Sequence, residues 1–103
     1  MSRGPDAGTL VARAIEHDAR RAGCAMVLAL AESSRWASAT FVGARHGLAL
    51  DGPDDAAFAH WLAGLPEADL PIRGHVIADL AIVSVARAAG RATASLEALT
   101  VET

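Results

Sequence analysis

The stretch Ala44-Arg45-His46-Gly47 places an arginine, a histidine and a glycine in the order that phosphohistidine enzymes use around their nucleophile. That chemistry needs a second histidine and further arginines converging on one phosphate, and short motifs match by chance. In an alternating strand Arg45 and His46 also point to opposite faces, so the triplet reads as strand. The remaining histidines offer no ready alternative. His17 and His60 fall in helical segments, His46 and His75 in or near strands, and no pair has the i, i+4 spacing of a helical metal site. His75 and Asp79 are spaced to share one face of a strand, as a base and its orienting carboxylate would. No nucleophile stands near them in sequence and no serine elbow is present, so they read as surface polar residues near a strand end. Cys24, the single cysteine, excludes an intrachain disulfide and a CxxC spacing; at the head of an apolar run it reads as a small buried hydrophobe. No glycine-rich phosphate loop, catalytic carboxylate pair or calcium loop is found. The expectation is therefore no catalytic residue, no metal, no cofactor and no small-molecule substrate.

The elements that would position these residues are bounded first by composition. A chain of 103 residues, 52% of them hydrophobic, can bury one core without metals or disulfides. All nine basic residues are arginine, the formal charge is −3, and the arginines are scattered. No basic stripe of the kind that follows a phosphate backbone results, which argues against a nucleic-acid partner, and none is expected. The longest apolar run, Cys24 to Ala31, is far short of the ~20 residues of a membrane-spanning helix, and the opening residues carry no apolar signal core. The expected organisation is a flexible lead-in over residues 1–8 and a single domain over residues 9–103.

From Thr9 to Ala22, Val11, Ala14, Ile15, Ala19 and Ala22 recur at helical spacing opposite Arg13, Glu16, His17, Arg20 and Arg21. Gly23 supplies a left-handed stop. Residues 24–31 read as a strand, "ESSR" at 32–35 as a polar turn, and residues 36–50 as the returning strand. In that strand Thr40, Val42, Ala44, His46, Leu48 and Leu50 share one face, with Gly47 easing close packing. "DGPDDAAFAHWLAGLP" then predicts a helix that begins at Pro53, gains from Asp54 and Asp55 at its positive end, and stops at Gly64 and Pro66. Phe58, Trp61, Leu62 and Leu65 form its stripe. At that spacing Phe58 and Trp61 are core residues rather than a stacking platform. A linker, residues 67–71, leads to an extended run over 72–88, a tight turn at Ala89-Gly90 and a partner strand over 91–101.

The order α-β-β-α-β-β predicts an α+β two-layer sandwich: a four-stranded antiparallel sheet with two helices on one face, a circularly permuted ferredoxin-like fold. The uncovered sheet face, rich in alanine and valine, suits a homodimer interface.

With helix-strand-strand repeated, "ARRAGC" closing the first helix, the "WL..L" pattern of Trp61, Leu62 and Leu65, and "GRATASLEALTVE" closing the chain, residues 9–102 resemble the periplasmic domain of the type II secretion system protein M. The resemblance implies a non-catalytic scaffold of the inner-membrane platform of a Gram-negative bacterium, exposed to the periplasm, forming homodimers and pairing with component L. That family's cytoplasmic tail, membrane-spanning helix and connecting coil have no counterpart in these residues, so membrane contact is expected only through a segment absent from this chain. Trp36, Val42, His46 and Val83 are the expected exposed interface positions. The type IV pilus alignment protein O shares the architecture and is the alternative scaffold. A dimeric ferredoxin-like enzyme or small-ligand protein, with a pocket holding His46 or His75, is the alternative of a different class.

Overall fold

A computed structural model describes residues 6–103; the lead-in over residues 1–5 lies outside them. The first helix, α1 (Ala7–Arg21), begins two residues earlier than its apolar periodicity indicates, because Asp6 caps it by accepting from the Thr9 amide at 2.9 Å. Its inward stripe is Gly8, Val11, Ile15 and Ala19. Gly23, at φ +71°, turns the chain out of the helix, and the Cys24 amide reaches back to the Ala19 carbonyl at 2.8 Å.

Strands β1 (Val27–Ala37) and β2 (Val42–Pro53) form a longer hairpin than the sequence suggests. "ESSR" is not the turn. It continues β1, and the chain reverses at residues 38–41, where the Ser38 hydroxyl accepts from the Phe41 amide at 3.1 Å. A polar run serves as strand here because β1 is an edge, open to water along much of its length. Trp36 accordingly belongs to the first strand of the hairpin, not the second. Pro53 ends β2 rather than opening a helix. Asp55 is the cap of α2 (Ala56–Gly64), accepting from the Phe58 amide at 2.8 Å. A single 3₁₀ turn, Leu65–Glu67, contains Pro66 and closes the helix.

Strands β3 (His75–Ala88) and β4 (Arg91–Glu102) pair across Ala89-Gly90. Both turn residues have positive φ, 53° and 77°, which matches the twist of a two-residue hairpin. The strands run β1-β2-β4-β3, every pair antiparallel. This is the ferredoxin-like order for a chain that starts at its first helix, so the expected α+β sandwich is the observed one.

The predicted alternation in β2 holds: Ala44, His46, Leu48 and Leu50 are buried while Arg45 is exposed. Inward rows follow from the register. Leu28, Leu50, Ala94 and Val85 form one, and Leu30, Leu48, Leu96 and Ile82 the next. The helices cover the middle of these rows, leaving Leu30 and Val85 on the edge strands exposed, and Phe58, Trp61, Leu62 and Leu65 are buried as their spacing indicated. Full burial stabilises by about 1.5–3 kcal/mol for each large apolar side chain. The Trp61 indole donates to Asp18 at 2.9 Å and ties α2 to α1.

Candidate functional site

The inward row next to the apolar ones runs Ser33, His46, Ala98 and Leu80, polar on β1 and β2 and apolar on β4 and β3. Register sets Ser33 on β1 opposite His46 on β2, while Thr100 on β4 pairs with Ala44. His46 is 2% exposed and Thr100 fully buried. The imidazole Nδ1 lies 2.7 Å from the Ser33 hydroxyl and Nε2 lies 3.0 Å from the Thr100 hydroxyl. Thr100 in turn reaches the Ala44 carbonyl at 3.4 Å. The proton count selects one arrangement. With the imidazole proton on Nε2, Ser33 donates to Nδ1, Nε2 donates to Thr100, and Thr100 donates to the carbonyl, so every link is used. With the proton on Nδ1, Thr100 must donate to the ring and its link to the carbonyl is lost. Burial lowers the His46 pKa, assisted by the distant charge of His75 and opposed by Asp6. The neutral ring is the favoured form.

A cavity of about 200 Å³ opens beside this chain, lined by Ser33, Arg35, His46, Thr100, Glu102 and the start of α1. The helix can sit so close because residue 8 is glycine: a Cβ there would lie 2.8 Å from the Ser33 hydroxyl oxygen. Ala7 and Gly8 also line the cavity, and their amides, the first of the helix, have no acceptor among the described residues. Asp6 caps the amide one position further on, which holds its carboxyl below the usual range. At the rim Arg35 faces Glu102 at 3.6 Å. A hydroxyl bonded to a neutral imidazole, a third group orienting that imidazole, and nearby amides without an acceptor among the described residues are the parts of nucleophilic chemistry.

His46, expected at an exposed interface, is therefore a correction. Its place in the β2 alternation turns it inward, and strand pairing gives it partners on both sides. Val83 is 58% exposed, at a bulge in β3. Trp36 is half-buried on the face away from the helices, packed over Gly43, where a Cβ would come 2.6 Å from its ring. Val42 is half-buried at the start of β2, on the helix side of the sheet. These residues do not form one patch, since Trp36 and Val83 lie on the opposite edge strands β1 and β3. Gly47 is not a point of close packing, because a Cβ there would meet Glu32 at an ordinary 3.4 Å.

His75 and Asp79 do not share a face. A bulge between Ile77 and Asp79 sets Asp79 opposite Leu99, on the uncovered side, while His75 stays opposite Glu102. His75 lines a second hollow of about 410 Å³ with its Nδ1 buried and without a partner among the described residues. Burial, with Asp55 contributing, pushes the Cys24 thiol up, away from reactivity. No group of three or more His, Cys, Asp or Glu able to hold a metal is found among the described residues. Nor is any helix of the described residues long and apolar enough to cross a membrane.

Sequence reasoning missed Ser33 and Thr100. A usable signal was present: the alternation that set His46 beside Leu48 and Leu50 implied a buried imidazole, which requires partners. Fold and site together define an α+β domain of permuted ferredoxin-like topology carrying a Ser-His-Thr chain under its first helix. The sequence matches no protein-family model and no curated protein.

Proposed function

We infer that this domain is an assembly module resembling the type II secretion system protein M: a scaffold on the periplasmic side of the inner membrane that forms homodimers and pairs with component L. The observation that supports this reading is the permuted ferredoxin-like topology, in which both outer strands are open and one sheet face is free of helices. On that face the register aligns Trp36, Gly43, Val101 and Val76 across all four strands. Val76 is 52% exposed. Such an apolar row at the surface is the material of a protein contact. Edge strand β3 adds exposed Val83 at its bulge.

Titration calorimetry against the periplasmic domain of component L from the same genome, with the pilus counterpart of L as control, tests this directly. Saturable binding to L alone, weakened at least about tenfold by Val76→Asp, is the expected result. A folded protein that binds neither and sediments as a monomer overturns it.

A further inference from the structure

The Ser33-His46-Thr100 chain carries more than a packing role. We propose that Ser33 is an acyl-accepting nucleophile with His46 as its general base, and that the cavity beside them takes short neutral carboxylic esters.

The geometry has each required part. Ser33 sits on an open edge strand, with its hydroxyl bonded at 2.7 Å to an imidazole nitrogen that the proton count leaves as acceptor. Nε2 is fixed by Thr100 at 3.0 Å, so the ring is held in the orientation and tautomer that a base needs. A cavity of about 200 Å³ adjoins the hydroxyl, room for a short acyl group and little more. The Ala7 and Gly8 amides at its wall are donors without acceptors among the described residues, suited to an oxygen that gains negative charge. Asp6 and Glu102 place two carboxylates at the cavity against the one guanidinium of Arg35, which disfavours anionic substrates.

The reaction balances without a further reagent beyond water. The Ser33 oxygen bonds to the ester carbonyl carbon as its proton moves to Nδ1 of His46. The tetrahedral oxyanion collapses, the carbon–oxygen bond to the alcohol breaks, and the departing oxygen takes the proton from Nδ1. Water then attacks the acyl-serine as its proton moves to Nδ1 of His46, the bond from the acyl carbon to the Ser33 oxygen breaks, and that oxygen takes the proton back from Nδ1, releasing the carboxylic acid and restoring the Ser33 hydroxyl. This chemistry does not depend on the assembly reading, and either can fail while the other stands.

The test is acetylation of the full chain by p-nitrophenyl acetate, followed by intact mass and peptide mapping, with p-nitrophenolate release measured in parallel. Cys24→Ser serves as the background protein so that the thiol does not contribute. The expected result is one acetyl group on the peptide carrying Ser33, with release slowed on the order of 100-fold by Ser33→Ala, the scale of base-assisted attack. Circular dichroism of Ser33→Ala should be unchanged, because the residue is at an exposed edge. Gly8→Ala, which crowds the hydroxyl, should slow release while leaving Ser33 in place. Label found elsewhere, or release by Ser33→Ala within about twofold of the parent, well short of the effect of losing such a group, overturns the proposal.

Discussion

The two ends of the inward sheet face are built from the same strands and serve opposite ends. At the end near the β3-β4 turn, Leu50 and Ala94 are fully buried and the Phe58 ring lies over Gly52 so closely that a Cβ there would be 2.6 Å away. Only apolar atoms meet, and stability comes from area and fit. At the end beneath the start of α1, the corresponding positions hold Ser33, His46 and Thr100, where a neighbouring cavity replaces close packing. A small domain has few positions to spend on anything but its core. At the polar end a buried imidazole is held by a hydroxyl on either side, so hydrogen bonding takes the place of apolar fit.

This contrast can be broken or sharpened by substitution. Phe58→Ala should have the largest effect, costing about 3–5 kcal/mol in urea unfolding; a loss below about 1 kcal/mol would mean that the aromatic end is not the anchor. Gly52→Ala should cost about 1–3 kcal/mol, since the Phe58 ring cannot give way. Gly8→Ala at the polar end should cost less, about 0–2 kcal/mol, because its Cβ meets the ends of the Ser33 and Leu30 side chains at 2.8 and 2.9 Å, which can shift, and alanine favours the helix. Equal costs at both glycines would erase the difference between the ends. Thr100→Val should cost about 1–3 kcal/mol, as the Nε2 proton of His46 loses its acceptor in a buried site.

Acid should act through His46. Its folded-state pKa is lowered, mainly by burial, so on acidification the unfolded chain takes up a proton first. Stability is complete above the unfolded value of about 6.5, declines as pH falls through it, and levels off below the folded value. His46→Leu should flatten that part of the profile in equilibrium unfolding across pH. Arg35→Ala should have the smallest effect, about 0–1 kcal/mol, because the pair with Glu102 is 3.6 Å apart and well exposed; a Tm shift large enough to exceed that range would give the cavity rim a structural role.

The sequence made the apolar end legible and hid the polar one, for physical reasons. Helical spacing identified Val11, Ile15, Phe58, Trp61 and Leu62, because periodicity encodes which side of an element faces the core. Period-two alternation set His46 on one face with Leu48 and Leu50, although it was expected at an exposed interface. What spacing does not encode is strand register. Ser33 is 13 residues from His46 and Thr100 is 54 residues away, and they meet only through the pairing of β1, β2 and β4. Two local readings failed on competing signals. "ESSR" has turn composition, yet an edge strand tolerates polar residues on its open side. Pro53 suits a helix start, yet Asp55 caps better. The bulge at Ala78 shows the same limit, since one extra residue moved Asp79 across the sheet from His75.

The most direct test of the difference between the two ends is the protonation state of the His46 ring, read from nitrogen-proton NMR correlations of histidine-labelled protein as a function of pH. The arrangement described here predicts a proton on Nε2 and none on Nδ1 at neutral pH, with a titration midpoint below the usual histidine range because the ring is buried. A ring protonated on Nδ1, or one that titrates at or above the ordinary value, would contradict it.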